Sequence, residues 1–181
     1  SSLSDHVKVA SLNLCTDQLV FSVANKEQIS SLTYLSADKE ISYISDKVQE
    51  IKKNKGSIEE IIVQNPDLIV TSKGSSISSV IILKKLGYNV IELPIINSFE
   101  DLKNQVELLS DKLHQKENGI KIINKINSIL GNRQPDIDIS KSILFLGPNG
   151  FTSGEGSLNN EIISWSGYIN ESTILGIKGF G

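Results

Sequence analysis

Residues 56–70 read GSIEEIIVQNPDLIV and contain a helix start, a helix stop and the beginning of a buried strand. Ser57, with Glu60 three residues later, has the pattern of a capping box, which predicts that a helix begins here. Pro66 disfavours helical backbone in the residue before it, so the helix must end by Asn65. The run DLIVT at 67–71 is almost continuously apolar, as expected of a parallel strand that is buried on both faces of its sheet.

The same alternation of strand and helix signals continues on both sides of residues 56–70. Runs rich in β-branched residues predict strands, and Ser, Thr or Asn caps ahead of apolar steps predict helices. Such an alternation predicts βαβ units and a mainly parallel α/β sheet over residues 7–97. The further predicted elements are strands at 7–12, 29–34 and 89–93, and helices at 13–24, 41–48 and 78–86.

A long helical stretch is predicted next, over residues 98–131. Its apolar residues recur in steps of three or four, which places them on one face of a helix. Without a break this helix would measure about 50 Å at roughly 1.5 Å per residue, which is more than the width of a small domain. The helix is therefore expected either to break within 114–119 or to act as a strut that extends beyond the first domain.

The last third of the chain shows the start of a second α/β pattern. Residues 132–141 have the composition of a linker, 142–146 (SILFL) predict a strand, and a helix capped by Ser157 is predicted to about Ser166. From Tyr168 onward only loop is predicted. A single strand and helix have no sheet to join, so the second lobe is expected to be incomplete at its C-terminal end.

The composition excludes several classes of function. The 181 residues carry a formal net charge of −3, which argues against nucleic acid as a partner because phosphate contacts need concentrated Lys and Arg. No apolar run is long enough to predict a membrane span. The single cysteine, Cys15, excludes an internal disulfide and a cysteine-based zinc site. Two histidines leave little room for a His-rich metal site or a Ser-His-Asp triad, so no catalytic residue, metal site or cofactor is predicted.

Three local features resemble signatures of catalysis or cofactor binding and are rejected. The glycine-rich loop 147–156 lacks both the Lys of a P-loop and the third glycine of a dinucleotide fingerprint, so a flexible loop or cleft rim is expected. The S-x-x-K pair Ser36 and Lys39 lacks its companion motifs. Cys15 stands at a strand-to-helix turn with no general base near it in the sequence, which predicts a buried or cleft-lining thiol.

Three loops are expected to meet at one edge of the predicted sheet. Tyr34 ends one predicted strand and residues 72–74 and 94–95 follow two others, and the carboxyl ends of parallel strands share an edge. Ligands of open α/β sheets bind outside that edge. A ligand site is therefore predicted there, with packing in the core left open as the alternative for Tyr34.

Three segments of the chain form an ordered set: VASL at 9–12, the run 56–70 quoted above, and LGYNV at 86–90. Together they resemble the cobalamin and iron-siderophore binding proteins of ABC importers, over essentially the whole chain. The resemblance implies two Rossmann-like α/β lobes with mainly parallel sheets, joined by a single long backbone helix. The implied division is an N-terminal lobe at 1–114, a crossing helix at 115–131 and a partly present C-terminal lobe at 132–181.

The resemblance also implies a function without catalysis. Proteins of this family capture an iron-siderophore or related metal chelate in the cleft between their lobes and deliver it to a permease and ATPase complex in the inner membrane. The implied protein is a periplasmic monomer whose signal peptide has been removed. Glu59 matches the acidic residue with which the family docks against permease arginines, although the first turn of a helix favours an acidic residue in any case.

The ligand-binding residues follow from the same resemblance. Tyr34 matches a cleft aromatic residue of the vitamin B12 binders, and FTSG at 151–154 resembles their second-lobe cleft loop. Where those proteins place tryptophans this chain has polar residues, which weakens the cobalamin interpretation. The lysines of this region, Lys53, Lys55 and Lys73, suit an anionic chelate such as a ferric carboxylate-type siderophore. The predicted ligand-binding set is Cys15, Thr16, Tyr34, Lys53, Ser72, Lys73, Asn149 and Phe151.

Three other interpretations stay open. The same fold also serves the capture of cobalamin or haem. A flavodoxin-like or nitrogenase-like enzyme or cofactor-binding domain shares the parallel sheet, and it predicts a bound nucleotide or cluster together with a catalytic acid or base. An adaptor domain needs no concave ligand site. The sequence contains no motif for a bound nucleotide or cluster or for a catalytic acid or base, and the transport interpretation is preferred.

Overall fold

The structure is a computed structural model that describes residues 7–131 and 136–180. Its residues fall into two compact units. In this part of the chain no helix is long and apolar enough to cross a membrane. The first unit comprises the residues up to Ile95 together with Gln105–Asn124, and the second comprises Ile96–Asn104 together with the residues from Lys125 onward.

The first unit is built on a five-stranded parallel sheet in the order β3-β2-β1-β4-β5. β1 pairs with β2 on one side and with β4 on the other, and Val9 lies opposite both Ile29 and Leu68. The α/β fold predicted for this region is therefore confirmed. The strands are β1 (Val9–Ser11), β2 (Ile29–Thr33), β3 (Lys53–Asn54), β4 (Leu68–Ser72) and β5 (Val90–Leu93).

Three α-helices connect these strands, and local side-chain bonds explain the limits of the second. The Ser57 hydroxyl accepts a hydrogen bond from the Glu60 amide at 3.3 Å, as the sequence predicts. The Glu60 carboxylate accepts from the Lys55 amide at 2.8 Å, so only half of the predicted capping box forms. The helix ends where Asn65 adopts a left-handed conformation, at φ 44°, ahead of Pro66. The helices are α1 (Leu14–Val23), α2 (Ile58–Gln64) and α3 (Ile77–Lys85).

The core of the first unit lies around the central strands β1 and β4, whose apolar residues are buried throughout. Ala10, Leu12 and Ile69 of this region form one cluster with Ile61 of α2 and Leu83 of α3, and none of the five is more than 5% exposed. Removal of apolar surface from water stabilises a fold by roughly 25 cal/mol per Å². A central strand that is buried on both faces is therefore stabilised by an almost continuously apolar run such as that of β4.

Two elements between β2 and β4 differ from the prediction. The sequence has no signal for β3, because its two residues are polar and it pairs only with β2 at the edge of the sheet. The helix predicted at 41–48 is reduced to a short 3-10 turn, Ser45–Lys47. Ile44 and Val48 are buried on either side of that turn. These two residues therefore anchor the connection between β2 and β3 to the core, which explains their helix-like spacing.

Two separate helices replace the long helical stretch, so the predicted break is confirmed. It falls at His114, whose left-handed backbone at φ 57° does not fit an α-helix. Gln28 holds the joint, since its side-chain nitrogen donates to the Leu113 carbonyl at 2.9 Å. Its side-chain oxygen accepts from the side-chain amide of Gln115 at 2.7 Å. The two helices are α4 (Phe99–Lys112) and α5 (Lys116–Leu130).

The predicted domain boundaries are not decided by these helices. The division at 1–114, 115–131 and 132–181 stays a prediction. α4 and α5 each carry residues of both compact units, because one unit ends and the other begins within each helix. Residues 132–135 of the predicted linker lie outside the described residues.

The second unit contains a two-stranded parallel sheet, so the prediction of loop alone after Tyr168 is wrong. Its first strand is shorter than the predicted 142–146, whereas the helix capped by Ser157 is confirmed. The second strand escapes prediction because it has two residues and the second, Asn170, is polar. Asn170 is buried and caps the next helix by accepting from the Ser172 amide at 3.1 Å. The elements are β6 (Ser142–Ile143), α6 (Leu158–Trp165), β7 (Ile169–Asn170) and α7 (Glu171–Ile174).

The glycine-rich loop 147–156 is packed in its second half, which corrects the expectation of a flexible loop. The Gly154 amide donates to the Gly179 carbonyl at 2.7 Å, and the Glu155 amide donates to the Ile177 carbonyl at 3.0 Å. A Cβ atom on Gly154 would lie 1.9 Å from the Ile177 carbonyl oxygen. Only glycine therefore fits at this position.

Gly119 marks a close approach of α5 to α4, and its replacement tests that packing. A Cβ atom here would lie 2.4 Å from Ser110 Oγ and 2.6 Å from Ser110 Cβ. Glycine to alanine at an open helical site stabilises by roughly 1 kcal/mol. We expect Gly119→Ala instead to lower the free energy of unfolding by about 1–3 kcal/mol, because the added methyl group overpacks the contact. Urea denaturation measures the change.

A double-mutant comparison isolates the contact between the two helices. In a Ser110→Gly background, Gly119→Ala should no longer destabilise the protein, since both clashing atoms are gone. Ser128→Ala, on an exposed part of α5, is the control for helix propensity alone. A Gly119→Ala protein that is more stable than the wild type would contradict the close approach.

Candidate functional site

The carboxyl edge of the five-stranded sheet gathers the loops that follow all of its strands, because the strands are parallel. The strand order reverses between β1 and β4, since the chain builds outward from β1 in both directions. Ligands of open α/β sheets bind at such a reversal, outside the carboxyl ends of the strands. The candidate site, here called the carboxyl-edge surface, comprises Asn13, Cys15, Tyr34, Lys55, Ser72, Lys73 and Ser75.

Asn13 joins the two loops at the point of reversal. Its side-chain oxygen accepts from the Cys15 amide at 2.9 Å and from the Ser72 hydroxyl at 3.0 Å. Its side-chain nitrogen donates to the Ser75 hydroxyl at 3.1 Å. One side chain thus caps α1 and ties the loop after β4 to the loop after β1. The sequence predicts Asn13 only as a possible cap of α1. Its position directly after the central strand is the signal that could have identified it as a site residue.

The two predicted ligand residues at the start of α1 have different surroundings. Cys15 is exposed, so the alternative of a buried thiol is wrong. Thr16 is 1% exposed, and its hydroxyl bonds to the Ser11 hydroxyl at 2.7 Å and donates to the Asn13 carbonyl at 2.9 Å. Thr16 therefore ties α1 to the end of β1 and is not accessible to a ligand, which argues against the role predicted for it.

Tyr34 follows β2 directly and begins the 3-10 turn Tyr34–Ala37. Its side chain is 56% exposed, so the alternative of core packing is wrong. The residue before it is anchored, because the Thr33 amide donates to Asp17 Oδ1 at 3.0 Å and the Thr33 hydroxyl donates to Asp17 Oδ2 at 2.5 Å. The sequence does not mark Asp17 as special, since an acidic residue in the first turn of a helix is common.

Asp17 is a fully buried carboxyl group behind the carboxyl-edge surface. Desolvation by burial raises its pKa to about 6, although the hydrogen bonds from Thr33 and Ser11 and the charge of Lys53 act in the opposite direction. The group is therefore charged at neutral pH and depends on Thr33 and Lys53 for compensation.

The predicted lysines differ in how free they are to meet a ligand. Lys53 donates from its ammonium group to the carbonyls of Val48 and Ile51, each at 2.5 Å, and desolvation by burial lowers its pKa. The main chain therefore occupies this group, which argues against the predicted ligand contact. Lys55 and Lys73 are exposed after β3 and β4, and within the described ranges neither forms an ion pair.

The predicted ligand residues Asn149 and Phe151 lie in the second unit, after β6. Asn149 has φ 61° inside the turn Pro148–Gly150, and Phe151 is 61% exposed. Thr152 next to them is buried, and its hydroxyl donates to the Phe145 carbonyl at 2.7 Å. A buried threonine thus anchors the turn that exposes Phe151, and the ligand contact of both residues stays a prediction.

Glu59 is exposed in the first turn of α2, at the end of that helix nearest the carboxyl edge. It lines a groove of about 280 Å³ together with Lys52 and Val63. Its docking role stays a prediction. Among the residues that the structure describes, no group of three or more His, Cys, Asp or Glu side chains is placed to hold a metal ion.

Three solved structures with the same fold are described as periplasmic binding proteins. A possible iron-binding, periplasmic solute-binding protein from Staphylococcus epidermidis matches with a TM-score of 0.74 at 15% identity, over 96% of this chain and 69% of its own. The periplasmic haem-binding protein HutB of Vibrio cholerae matches with a TM-score of 0.73 at 15% identity, over 97% and 69%. The periplasmic vitamin B12 binding protein BtuF of Vibrio cholerae matches with a TM-score of 0.65 at 18% identity, over 90% and 65%.

The chain therefore has the fold of the periplasmic substrate-binding proteins of ABC importers, as its resemblance to that family implies. It spans about two thirds of the length of these three structures. No protein-family model and no curated protein matches its sequence. The likeness thus establishes the fold and does not identify the ligand.

Replacement of Asp17 by Asn should change how stability depends on pH. The carboxyl pKa rises from 3.8 to about 6 on folding, so the folded state binds the proton more tightly. This contribution to stability is present at acid pH and is lost as the pH rises through 6. The free energy of unfolding of Asp17→Asn, relative to the wild type, should therefore improve by about 2 kcal/mol between roughly pH 4 and pH 7.

Urea denaturation of both proteins across this range measures the difference. Asp46→Asn changes an exposed aspartate in the same unit and is the control. A difference between Asp17→Asn and the wild type that stays constant with pH would contradict the raised pKa of Asp17.

Proposed function

We propose that this chain is the solute-binding component of an ABC importer and that it captures a metal chelate at the carboxyl-edge surface. The observation that carries the proposal is the exposed Tyr34 at the edge where the strand order reverses, in a chain with the fold of periplasmic binding proteins. An exposed aromatic ring offers a chelate a large and rigid contact area. Asn13, Ser72 and Ser75 form a hydrogen-bonded polar cluster on the same surface.

An anionic chelate, such as an iron-siderophore of the carboxylate type, is the proposed ligand. Lys55 and Lys73 are exposed at the carboxyl-edge surface and form no ion pair within the described residues. The third predicted lysine, Lys53, faces the buried charge of Asp17 and serves the fold. Two unpaired cations at a ligand edge favour a negatively charged solute.

Haem is the second candidate ligand, and cobalamin the third. HutB, which has the same fold, is a periplasmic haem-binding protein, and BtuF is a periplasmic vitamin B12 binding protein. The carboxylates of haem would suit Lys55 and Lys73 as well as those of a siderophore do. Tyr34 is the single aromatic residue of the carboxyl-edge surface, which is little flat surface for cobalamin.

Binding without catalysis is part of the proposal. The solved structures with this fold that are described above are binding proteins. The buried Asp17 is engaged by Thr33, so it is not free to act as a general base at the surface. A flavodoxin-like or nitrogenase-like domain would need a nucleotide or cluster motif, and the sequence contains none.

Delivery to a permease and ATPase complex in the inner membrane completes the proposed cycle, with the protein acting as a periplasmic monomer. Glu59 is the proposed docking residue because it is exposed and its side chain forms no ion pair with the described residues. A charge that the fold does not use is available to a basic partner surface.

Tyr34→Ala should weaken chelate binding by about tenfold or more, because the rigid aromatic contact is lost. Isothermal titration calorimetry of the full-length protein with ferric citrate, haemin and cyanocobalamin measures the affinity and orders the three candidate ligands. Tyr43→Ala is the control, since Tyr43 is 84% exposed in the same unit and lies outside the carboxyl-edge surface. Failure of the folded wild type to bind any of the three would refute the proposed function, and equal losses in both variants would refute the site.

Glu59→Lys should abolish uptake of the chelate and leave its affinity unchanged, because the charge acts in docking rather than in ligand binding. Cells that lack their own copy of the protein and express the variant report uptake of the labelled ferric chelate, and calorimetry reports affinity. Glu117→Lys is a matched control, since Glu117 is also an exposed first-turn residue of a helix. A loss of affinity in Glu59→Lys would place Glu59 at the ligand site instead.

A further inference from the structure

Asp17 carries a buried charge that neither the hydrophobic core nor the proposed ligand contacts explain. Its side chain is fully buried in the first turn of α1. A buried carboxylate is unfavourable unless it is paired or hydrogen-bonded. Both of its oxygens are directed at one residue, Thr33, which is the last residue of β2.

All the hydrogen-bonding groups of Thr33 are engaged. Its amide and hydroxyl donate to the two oxygens of Asp17, at 3.0 and 2.5 Å. Its carbonyl accepts from the Ser36 hydroxyl at 2.7 Å. The side chain is 5% exposed, so these bonds are shielded from water. The residue immediately before Tyr34 is therefore held from α1 on one side and from the following turn on the other.

The turn itself presents Tyr34 outward from this anchored point. Tyr34 is 56% exposed, whereas Thr33 before it and Ser36 two residues after it are buried. An exposed side chain on an unrestrained loop would lose conformational freedom when it binds a ligand, and this loss weakens binding. A tyrosine whose backbone is already fixed avoids the backbone part of that loss.

We infer that Asp17 and Thr33 are positioning residues that fix Tyr34 at the carboxyl-edge surface before the ligand arrives. This inference rests on the proposed function, because it assigns a binding role to Tyr34. Asp17 touches no ligand in this account. It acts through Thr33, and it fixes the backbone from which the ring of Tyr34 projects.

A purely structural role is the competing explanation, in which the Asp17–Thr33 bonds only fasten α1 to β2. The two explanations differ in what happens to Tyr34 when the protein stays folded. Structural fastening predicts a loss of stability with an unchanged Tyr34 ring. Positioning predicts a ring that becomes mobile and a ligand that binds more weakly.

The test uses Thr33→Val, which keeps the shape of the side chain and removes the hydroxyl donor to Asp17. Thr71→Val is the matched control, because Thr71 is a fully buried threonine of β4 in the same sheet. Its hydroxyl has no hydrogen-bond partner in the described part of the chain. Thr33→Ser is the conservative variant, since it keeps the donor and removes only a methyl group.

Fluorine NMR of the full-length protein labelled with 3-fluorotyrosine reports the Tyr34 ring without any ligand. The four tyrosines give four resonances, and Tyr34→Phe assigns the one of interest. In Thr33→Val we expect the Tyr34 resonance to shift and narrow, with the other three unchanged. Thr71→Val and Thr33→Ser should both resemble the wild type.

Calorimetry of the same variants with ferric citrate and with haemin supplies the second readout. Thr33→Val should bind the better of these two probes about five- to tenfold more weakly, which corresponds to the ordering of one side chain. Thr71→Val should bind as the wild type does. Asp17→Asn repeats the comparison from the other partner and covers the case in which Thr33→Val fails to fold.

Several outcomes would overturn the inference. They are an unchanged Tyr34 resonance in Thr33→Val, the same change in Thr71→Val, a change in all four resonances, and a mobile ring with unaltered affinity. A wild-type protein that binds neither probe would refute the proposed function instead. In that case the NMR comparison would still decide whether Thr33 holds the ring of Tyr34.

Discussion

The pairing of β1 with a parallel neighbour on each side is the constraint on which the rest of the first unit depends. β1 has three residues, all buried, and both of its edges are occupied by β2 and β4. Because the sheet grows from β1 in both directions, the loops after β1 and β4 separate at the carboxyl edge. Asn13 and Ser72 meet across that separation. The candidate site lies where this reversal of strand order separates the loops.

Polar side chains behind the site form hydrogen bonds with neighbouring protein groups. These residues support the surface, and a ligand cannot reach them. Asn54 is 1% exposed and donates to the Ser11 carbonyl at 3.0 Å and to the Ser31 hydroxyl at 2.8 Å. Thr16 and Lys53 are satisfied by neighbouring groups in the same way. The surface left for a ligand is therefore smaller than a count of polar residues indicates.

Much of the fold could be predicted from the sequence because its elements carry local signals. The run 56–70 has a cap, a stop and an apolar strand, and each of them appears in the structure. β3 and β7 could not be predicted, since each has two residues and is defined by pairing with a distant strand. The loops after the parallel strands meet at one edge, as predicted, but burial of Thr16 and engagement of Lys53 depend on tertiary contacts that no local pattern records.

Gly154 shows how one close contact limits the way in which this sequence can diverge. The carbonyl of Ile177 occupies the space that any side chain at 154 would need. Gly150 and Gly156 in the same loop have positive φ but open space around them, so asparagine or aspartate can replace them at modest strain. A substitution at 154 must displace the Ile177 carbonyl, whereas substitutions at 150 and 156 strain only the backbone of the loop itself.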